Sequence, residues 1–178
     1  MTTYHALTEY LVKLGVGELA HTEKSYLGHL LALYRDLGEW GCDEDVRRAG
    51  MFHSIYGTQK FQYFKLPFDR RGEVRALIGD RAELLAYVNC VMLRPTLDAA
   101  VHRGGPPFQV TDRLTEATIE LTREDFDDLC RVHLCDWLEQ VPRSKEWDYR
   151  RDAYRAMAER LGGPALEAYH RVYGLAPT

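Results

Sequence analysis

From position 23 to position 40, Tyr26, His29, Leu30, Leu33, Leu37 and Trp40 recur at steps of three and four, and Gly41 ends the run. A single apolar stripe at that spacing predicts a helix. Asp43 is placed to cap a second helix, with Glu44 and Asp45 in the first turn favouring the positive end of its dipole. Val46, Ala49, Gly50 and His53 then share a face until Gly57 stops the pattern. Each of the two apolar faces therefore contains one histidine, His29 in the first and His53 near the end of the second.

The remaining chain continues the helical pattern with a single interruption. After an irregular aromatic stretch from Phe61 to Phe68, a short helix is expected around Glu73 to Ile78 and a longer one from Asp80 to Leu93, separated by Gly79. Pro95 begins another short helix. Arg103-Gly104-Gly105-Pro106-Pro107 is the strongest break, and the alternating stretches Phe108-Gln109-Val110 and Thr118-Ile119-Glu120-Leu121 predict a small hairpin around Asp112-Arg113. Residues 104–121 thus read as an insertion or lid over the helices. Thr122 caps a helix that carries Phe126, Leu129, His133, Asp136, Trp137 and Gln140 along one side and is expected to close at Pro142. Helices over Trp147 to Leu161 and Pro164 to Tyr173 complete the pattern. The fold class is all-α: one helical domain over 1–178 with a small β-hairpin insertion and no internal repeat.

Composition narrows the function classes. A chain of 178 residues, 46% of them hydrophobic, can bury one sizeable core. Its 23 basic and 27 acidic residues give a formal charge of −4, with no Lys/Arg block that would track a phosphate backbone, so a nucleic-acid partner is not expected. Cys42, Cys90, Cys130 and Cys135 show no CxxC spacing, and Cys130 and Cys135 point to different helix faces, which reads as free thiols in a reducing compartment. The N-terminus lacks a basic segment followed by an apolar one, and no apolar run approaches the ~18 residues that suggest a membrane span. A cytoplasmic protein is the expectation. Apolar stripes such as the one in Ala153 to Leu161 serve equally as core or as a homodimer surface.

The chemistry centres on the histidines. His29 and His53 are 53 − 29 = 24 residues apart, enough for antiparallel packing of two helices to bring both imidazoles to one point. On the later helix His133 and Asp136 are three apart and share a face. Two imidazoles and a carboxylate, His29, His53 and Asp136, suit a divalent metal such as zinc, manganese or iron, with positions left open for water, substrate or dioxygen. The bland alternative is a set of hydrogen-bonded core residues, with Asp136 paired to His133 or an arginine. His133 and His21 are candidate proton shuttles, set against an orienting bond to Asp136 for the first and helix capping for the second. His21, His102 and His133 are the candidate ligands for any second ion. Tyr56, Thr58 and Lys60 can face a small-molecule substrate, and Lys60, Lys65, Arg70 and Arg71 can hold an anion or form solvated surface. The aromatic series Tyr56, Phe61, Tyr63, Phe64 and Phe68 reads as pocket wall or core packing.

An inward histidine on one helix, a second at the end of the next and a distant aspartate resemble the HD-domain superfamily of metal-dependent phosphohydrolases, whose pattern is H, then HD, then D. The resemblance runs from about Ser25 to Gln140, and the phrases Phe-His-Ser-x-Tyr-Gly-Thr and Asp-Trp-Leu-Glu-Gln look like an uncharacterised bacterial HD-like family. It implies an HD-like helical bundle in which His29, His53 and Asp136 ligate metal, with His133, His21, Tyr56 and Lys60 as candidate catalytic groups. Ser54 departs from the pattern, standing where the superfamily has the aspartate that ligates metal. The resemblance implies hydrolysis of a small molecule, a phosphoester or related compound, by metal-activated water. Members resembling myo-inositol oxygenase oxidise instead, so a non-haem iron oxygenase is the second expectation. A metal-free ligand-binding or interaction module on a degenerate HD fold is the third.

Overall fold

The computed structural model describes residues 2–18, 20–21 and 24–177, with the side chains of residues 18, 20, 21 and 24 outside that description. The chain opens on a helix, α1 (Tyr4–Lys13), for which the apolar pattern raised no expectation; the Thr3 hydroxyl caps it and Leu7 and Leu11, one turn apart, are its buried residues. A two-residue hairpin, β1 (Ala20–His21) and β2 (Lys24–Ser25), leads into α2 (Tyr26–Glu39). Ser25 Oγ accepts the Gly28 amide at 3.0 Å, so α2 begins at Tyr26 rather than at Glu23, which lies outside the described residues. α3 (Glu44–Phe52) follows after a tight turn, with Asp43 Oδ1 accepting the Val46 amide at 3.0 Å as its cap. His53 is the C-cap residue of α3, and Gly57 turns the chain away at φ 80°.

α4 (Arg71–Ile78) and α5 (Asp80–Val91) are broken at Gly79, whose φ of 101° is open only to glycine. α5 stops two residues earlier than its apolar run suggests, because Met92 and Leu93 become extended. The Leu93 amide donates to Thr111 O at 2.7 Å, and the Arg113 amide donates to Val91 O at 2.8 Å. α6 (Arg94–Arg103) carries a proline in its first turn. The expected hairpin is present as β3 (Gln109–Thr111) paired antiparallel with β4 (Thr118–Glu120), Val110 opposite Ile119. It is anchored to α6 and to residues 91–93, with the Phe108 ring 5.3 Å from Phe126.

α7 (Arg123–Ser144) is capped by Thr122 as expected, but it runs through Pro142 and ends at Lys145 in the left-handed region. A proline two residues from the helix end removes only one hydrogen bond, which the last turn tolerates. α8 (Arg151–Leu161) begins later than Trp147, because Arg150 adopts φ 47° and residues 147–150 form a turn; α9 (Gly163–Tyr173) closes the chain. The architecture is all-α with small antiparallel hairpins. Among the described residues no helix is long and apolar enough to cross a membrane.

α2 packs on α3, α7 packs on both, and α5 packs on α3 and α7, so these four helices share the central core. Leu30, Leu33, Leu37, Phe52, Leu85, Val88, Leu129 and Val132 are fully buried there. Each such side chain stabilises the fold by about 1.5–3 kcal/mol relative to exposure. His29, His53, Asn89, His133 and Asp136 are buried where the same helices meet. Gly50 sets the α2–α3 spacing: a Cβ there would sit 2.3 Å from Leu37 Cδ1. Gly50→Ala should therefore lower stability, overpacking costs of about 1–3 kcal/mol outweighing the ~1 kcal/mol gain in helix propensity. Urea unfolding of the two proteins measures it, and an unchanged or higher midpoint would remove Gly50 as the determinant of the helix approach.

Candidate metal centre

Three elements deliver the three donors. His29 projects from the middle of α2, His53 caps α3, and Asp136 lies in α7 where its buried face crosses both. Asp136 Oδ1 is 3.1 Å from His29 Nε2 and 3.3 Å from His53 Nε2, and the two imidazoles stand edge to face with centroids 5.2 Å apart. His29 is 0% exposed, His53 2% and Asp136 7%, so the cluster is shielded from bulk water.

The second nitrogen of each imidazole determines what the first presents. His53 Nδ1 is 2.8 Å from the Gly50 carbonyl, which can only accept, so this nitrogen carries the proton and donates it. His29 Nδ1 is 2.6 Å from Glu139 Oε2 and donates to that carboxylate, which Arg143 holds from the next turn. In the neutral rings both Nε2 atoms then present lone pairs toward one carboxylate oxygen. Three acceptors facing one another are unfavourable without a cation or shared protons between them. Donors bonded to one ion at ~2.0–2.2 Å lie about 3.0–3.5 Å apart, and both nitrogen–carboxylate distances fall in that range. The buried group His29, His53 and Asp136 can hold a metal ion, and it is the cluster of this kind among the described residues. Histidine anchored through its far nitrogen to a carboxylate or carbonyl is the usual arrangement behind a metal ligand.

Where no cation bridges the three donors, protons on the rings take its place. Burial opposes ionisation of Asp136, but the charge of His53 and the hydrogen bonds from His29 and His53 outweigh it and hold the carboxyl well below its ordinary range. Burial likewise disfavours protonated His29, yet Asp136 and Glu139 overcome it and raise its pKa. Gln140 donates to Asp136 Oδ1 from one turn on, which fixes that oxygen toward the histidines.

The other expected site residues divide sharply. His133 is 1% exposed and both ring nitrogens are engaged: Nε2 accepts from Arg150 at 2.8 Å, and Nδ1 donates to Asn89 Oδ1 at 3.0 Å. Burial first, then the charges of Arg150 and Arg94, hold its pKa well below the ordinary imidazole value, so it is a neutral strut rather than a ligand or proton carrier near neutral pH. Asn89 in turn donates to the His53 carbonyl at 2.8 Å, which ties α3, α5 and α7 together behind the cluster. Tyr56 is core, its hydroxyl donating to Glu83 at 2.9 Å. Lys60 reaches the ring of Tyr149 at 4.3 Å and bonds Glu146. Arg70 pairs with Glu73, Arg71 forks onto Glu83, Lys65 and His102 are exposed, and the side chain of His21 lies outside the described residues. Thr58 is buried and accepts the Phe61 amide at 3.0 Å; among the aromatic residues Phe61 is core, whereas Tyr63 is 84% exposed.

Ser54 is 3% exposed, and its hydroxyl is 2.7 Å from the Tyr26 hydroxyl, a pair of neutral groups. Glu139, Gln140 and Asn89 went unrecognised in the sequence. Glu139 had a usable signal, lying one turn beyond Asp136 on the same helix face. Asn89 had none, since its role depends on how α5 packs.

A metal at this cluster must displace the proton that Asp136 and Glu139 hold on His29. Because that pKa is raised, metal retention should begin to fall already above the ordinary imidazole value of ~6.5 as pH decreases. Glu139→Gln should weaken affinity by about 10–100-fold, so the variant should release its metal at higher pH than wild type. Dialysis against buffers of graded pH followed by metal analysis tests both; a flat curve to pH ~5, or a variant indistinguishable from wild type, would count against the arrangement.

Residues 10–94 match the model of a protein family described as a domain of unknown function, DUF6817. The match spans 94 − 10 + 1 = 85 of 178 residues and includes His29, His53 and Ser54 but not Asp136. No curated protein and no solved structure matches the chain.

Proposed function

We propose that the protein is a metal-dependent enzyme acting on a small molecule, with hydrolysis as its reaction. The observation that carries the reading is the convergence of His29 Nε2, His53 Nε2 and Asp136 Oδ1, with both Nδ1 protons already committed to Glu139 and Gly50. A divalent ion on these three donors supplies Lewis acidity, which makes water a nucleophile near neutral pH and polarises a substrate oxygen. The chain's own contribution is positional. Glu139 and the Gly50 carbonyl hold the two rings in one tautomer, Gln140 aims the carboxylate, and the walls of α2, α3 and α7 keep the charges in a weakly screening environment. Three protein ligands leave coordination positions for water and substrate, as catalytic rather than structural sites do.

The resemblance to the HD-domain superfamily supports the same reading through the order His29, His53, Asp136. Ser54 argues for one ion rather than two, because its neutral hydroxyl is engaged with Tyr26 and supplies no charged bridging oxygen. A second reading follows from the donor composition: two histidines and one carboxylate are also the ligands of non-haem Fe(II) oxygenases. Zinc or manganese fits the hydrolytic reading, iron the oxidative one.

Elemental mass spectrometry of protein purified without chelator tests the centre. Zinc, manganese or iron near one ion per chain is expected, falling to background in His29→Ala and in His53→Ala while helicity by circular dichroism is kept. Metal that persists in both variants, or none in wild-type protein after loading, would sink the proposal. Oxygen consumption by anaerobically purified, iron-loaded protein would replace hydrolysis by the oxidative reading.

A further inference from the structure

Arg94, the first residue of α6, is only 7% exposed. Arginine cannot shed its charge at ordinary pH, so a buried guanidinium normally has a carboxylate beside it. Among the described residues its guanidinium meets one acceptor, the Tyr149 hydroxyl at 3.0 Å, and no carboxylate. The neighbouring cations do have partners: Arg150 forks onto Asp98 and Lys60 bonds Glu146. The Lys60–Glu146 pair lies at the surface, its side chains 43% and 50% exposed, and such pairs are readily exchanged.

Tyr149 is the meeting point. Lys60 Nζ lies 4.3 Å from its ring centroid and 5.2 Å from that of Trp137, the residue next to Asp136, and the two rings are 5.1 Å apart. Since the Tyr149 oxygen accepts from Arg94, its own proton remains available to another acceptor. Burial would raise the pKa of this phenol, yet Arg94, Arg150 and Lys60 together lower it, which reports a net positive surrounding. His133 and Tyr154 each feel the positive charge of Arg94 and the negative charge of Asp136, so the cationic group and the metal cluster flank the same two rings.

We propose that Arg94, Tyr149 and Lys60 form a subsite for an oxyanion, a phosphate or carboxylate group of the substrate, at a distance from the bond that reacts. The link to a substrate rests on the metal-enzyme reading; the recognition of an anion rests on the uncompensated charge of Arg94. Arg94 supplies a fork of donors, Lys60 a mobile second charge, and the Tyr149 hydroxyl a neutral donor between them. The exposed Gln59, whose side-chain oxygen accepts the Arg94 amide at 2.9 Å, stands on the solvent side.

Isothermal titration calorimetry of the full chain with inorganic phosphate, and separately with acetate, tests the subsite. At least one of the two anions should bind, the tighter one indicating which group the substrate carries, and binding should survive in His29→Ala. Arg94→Gln should weaken it by about tenfold or more, and Lys60→Ala and Tyr149→Phe should each weaken it severalfold; these two keep the test valid if Arg94→Gln fails to fold. Binding that disappears in His29→Ala but withstands the other three substitutions would place the anion on the metal and overturn the proposal, as would the absence of binding by either anion. Intact anion binding by protein that takes up no metal would instead retain the subsite and remove the metal-enzyme reading.

Discussion

The approach of two imidazole Nε2 atoms to a single carboxylate oxygen is the constraint on which this structure turns. It demands that α2, α3 and α7 meet at one depth in the core, because a shift of one residue along any of them would move a donor by 1.5 Å or more and around the helix by ~100°. Each helix is accordingly locked close to its donor. Gly50 lets α3 lie against Leu33 and Leu37 of α2. Asn89 holds the His53 carbonyl from α5 and the His133 ring from α7, and Glu139 reaches back from α7 to His29. The apolar core supplies most of the stabilisation, but these polar bonds choose the register in which it packs. Buried hydrogen bonds of that kind penalise any alternative register, since breaking one strands a donor or acceptor away from water.

The charge distribution follows from the same geometry. Asp136 and Glu139 place two carboxylates against His29, with Arg143 beyond them. On the other side of His133 stand Arg150 and Arg94, and burial first, then their charges, keep that ring neutral. His133 thus lies between an acidic cluster suited to a cation and a basic cluster suited to an anion. A neutral, doubly hydrogen-bonded imidazole separates the two without titrating near neutral pH. A protonated ring there would repel Arg150 at 2.8 Å, so the contact itself requires the neutral form.

Much of this was legible in the sequence, and the residues show why the rest was not. The stripe through Tyr26, His29, Leu33 and Leu37 reports local periodicity, which packing in α2 preserves, and the caps at Asp43 and Thr122 are local chemistry that the structure keeps. The convergence of His29, His53 and Asp136 could be anticipated because spacing and helix face constrain it. His133 misled for the same reason: it shares the buried face of Asp136, but which partner fills the space beside it depends on Arg150, which follows the left-handed turn after α7. Arg94 and Asn89 carry no sequence signal, since an arginine beginning a helix and an asparagine within one are ordinary until their burial is known. Helix ends slipped where non-local pairing intervened, as when Thr111 draws Leu93 out of α5.

The Ser54–Tyr26 pair bears on how many ions such a core can hold. A carboxylate at position 54, next in the chain to His53, would bring a second negative charge into the buried core, and buried carboxylates near one another ionise together only when enough cations neutralise them. A serine removes that requirement. Its hydroxyl satisfies the Tyr26 hydroxyl at 2.7 Å and leaves the cluster with one buried carboxylate directly facing two histidines. Glu139, the other carboxylate bonded to His29, is already divided between His29 and Arg143, so it orients a ligand and its charge is matched by a cation of the chain. One divalent ion would compensate the Asp136 side of the site, and among the described residues no second cluster of His, Cys, Asp or Glu donors stands ready for another.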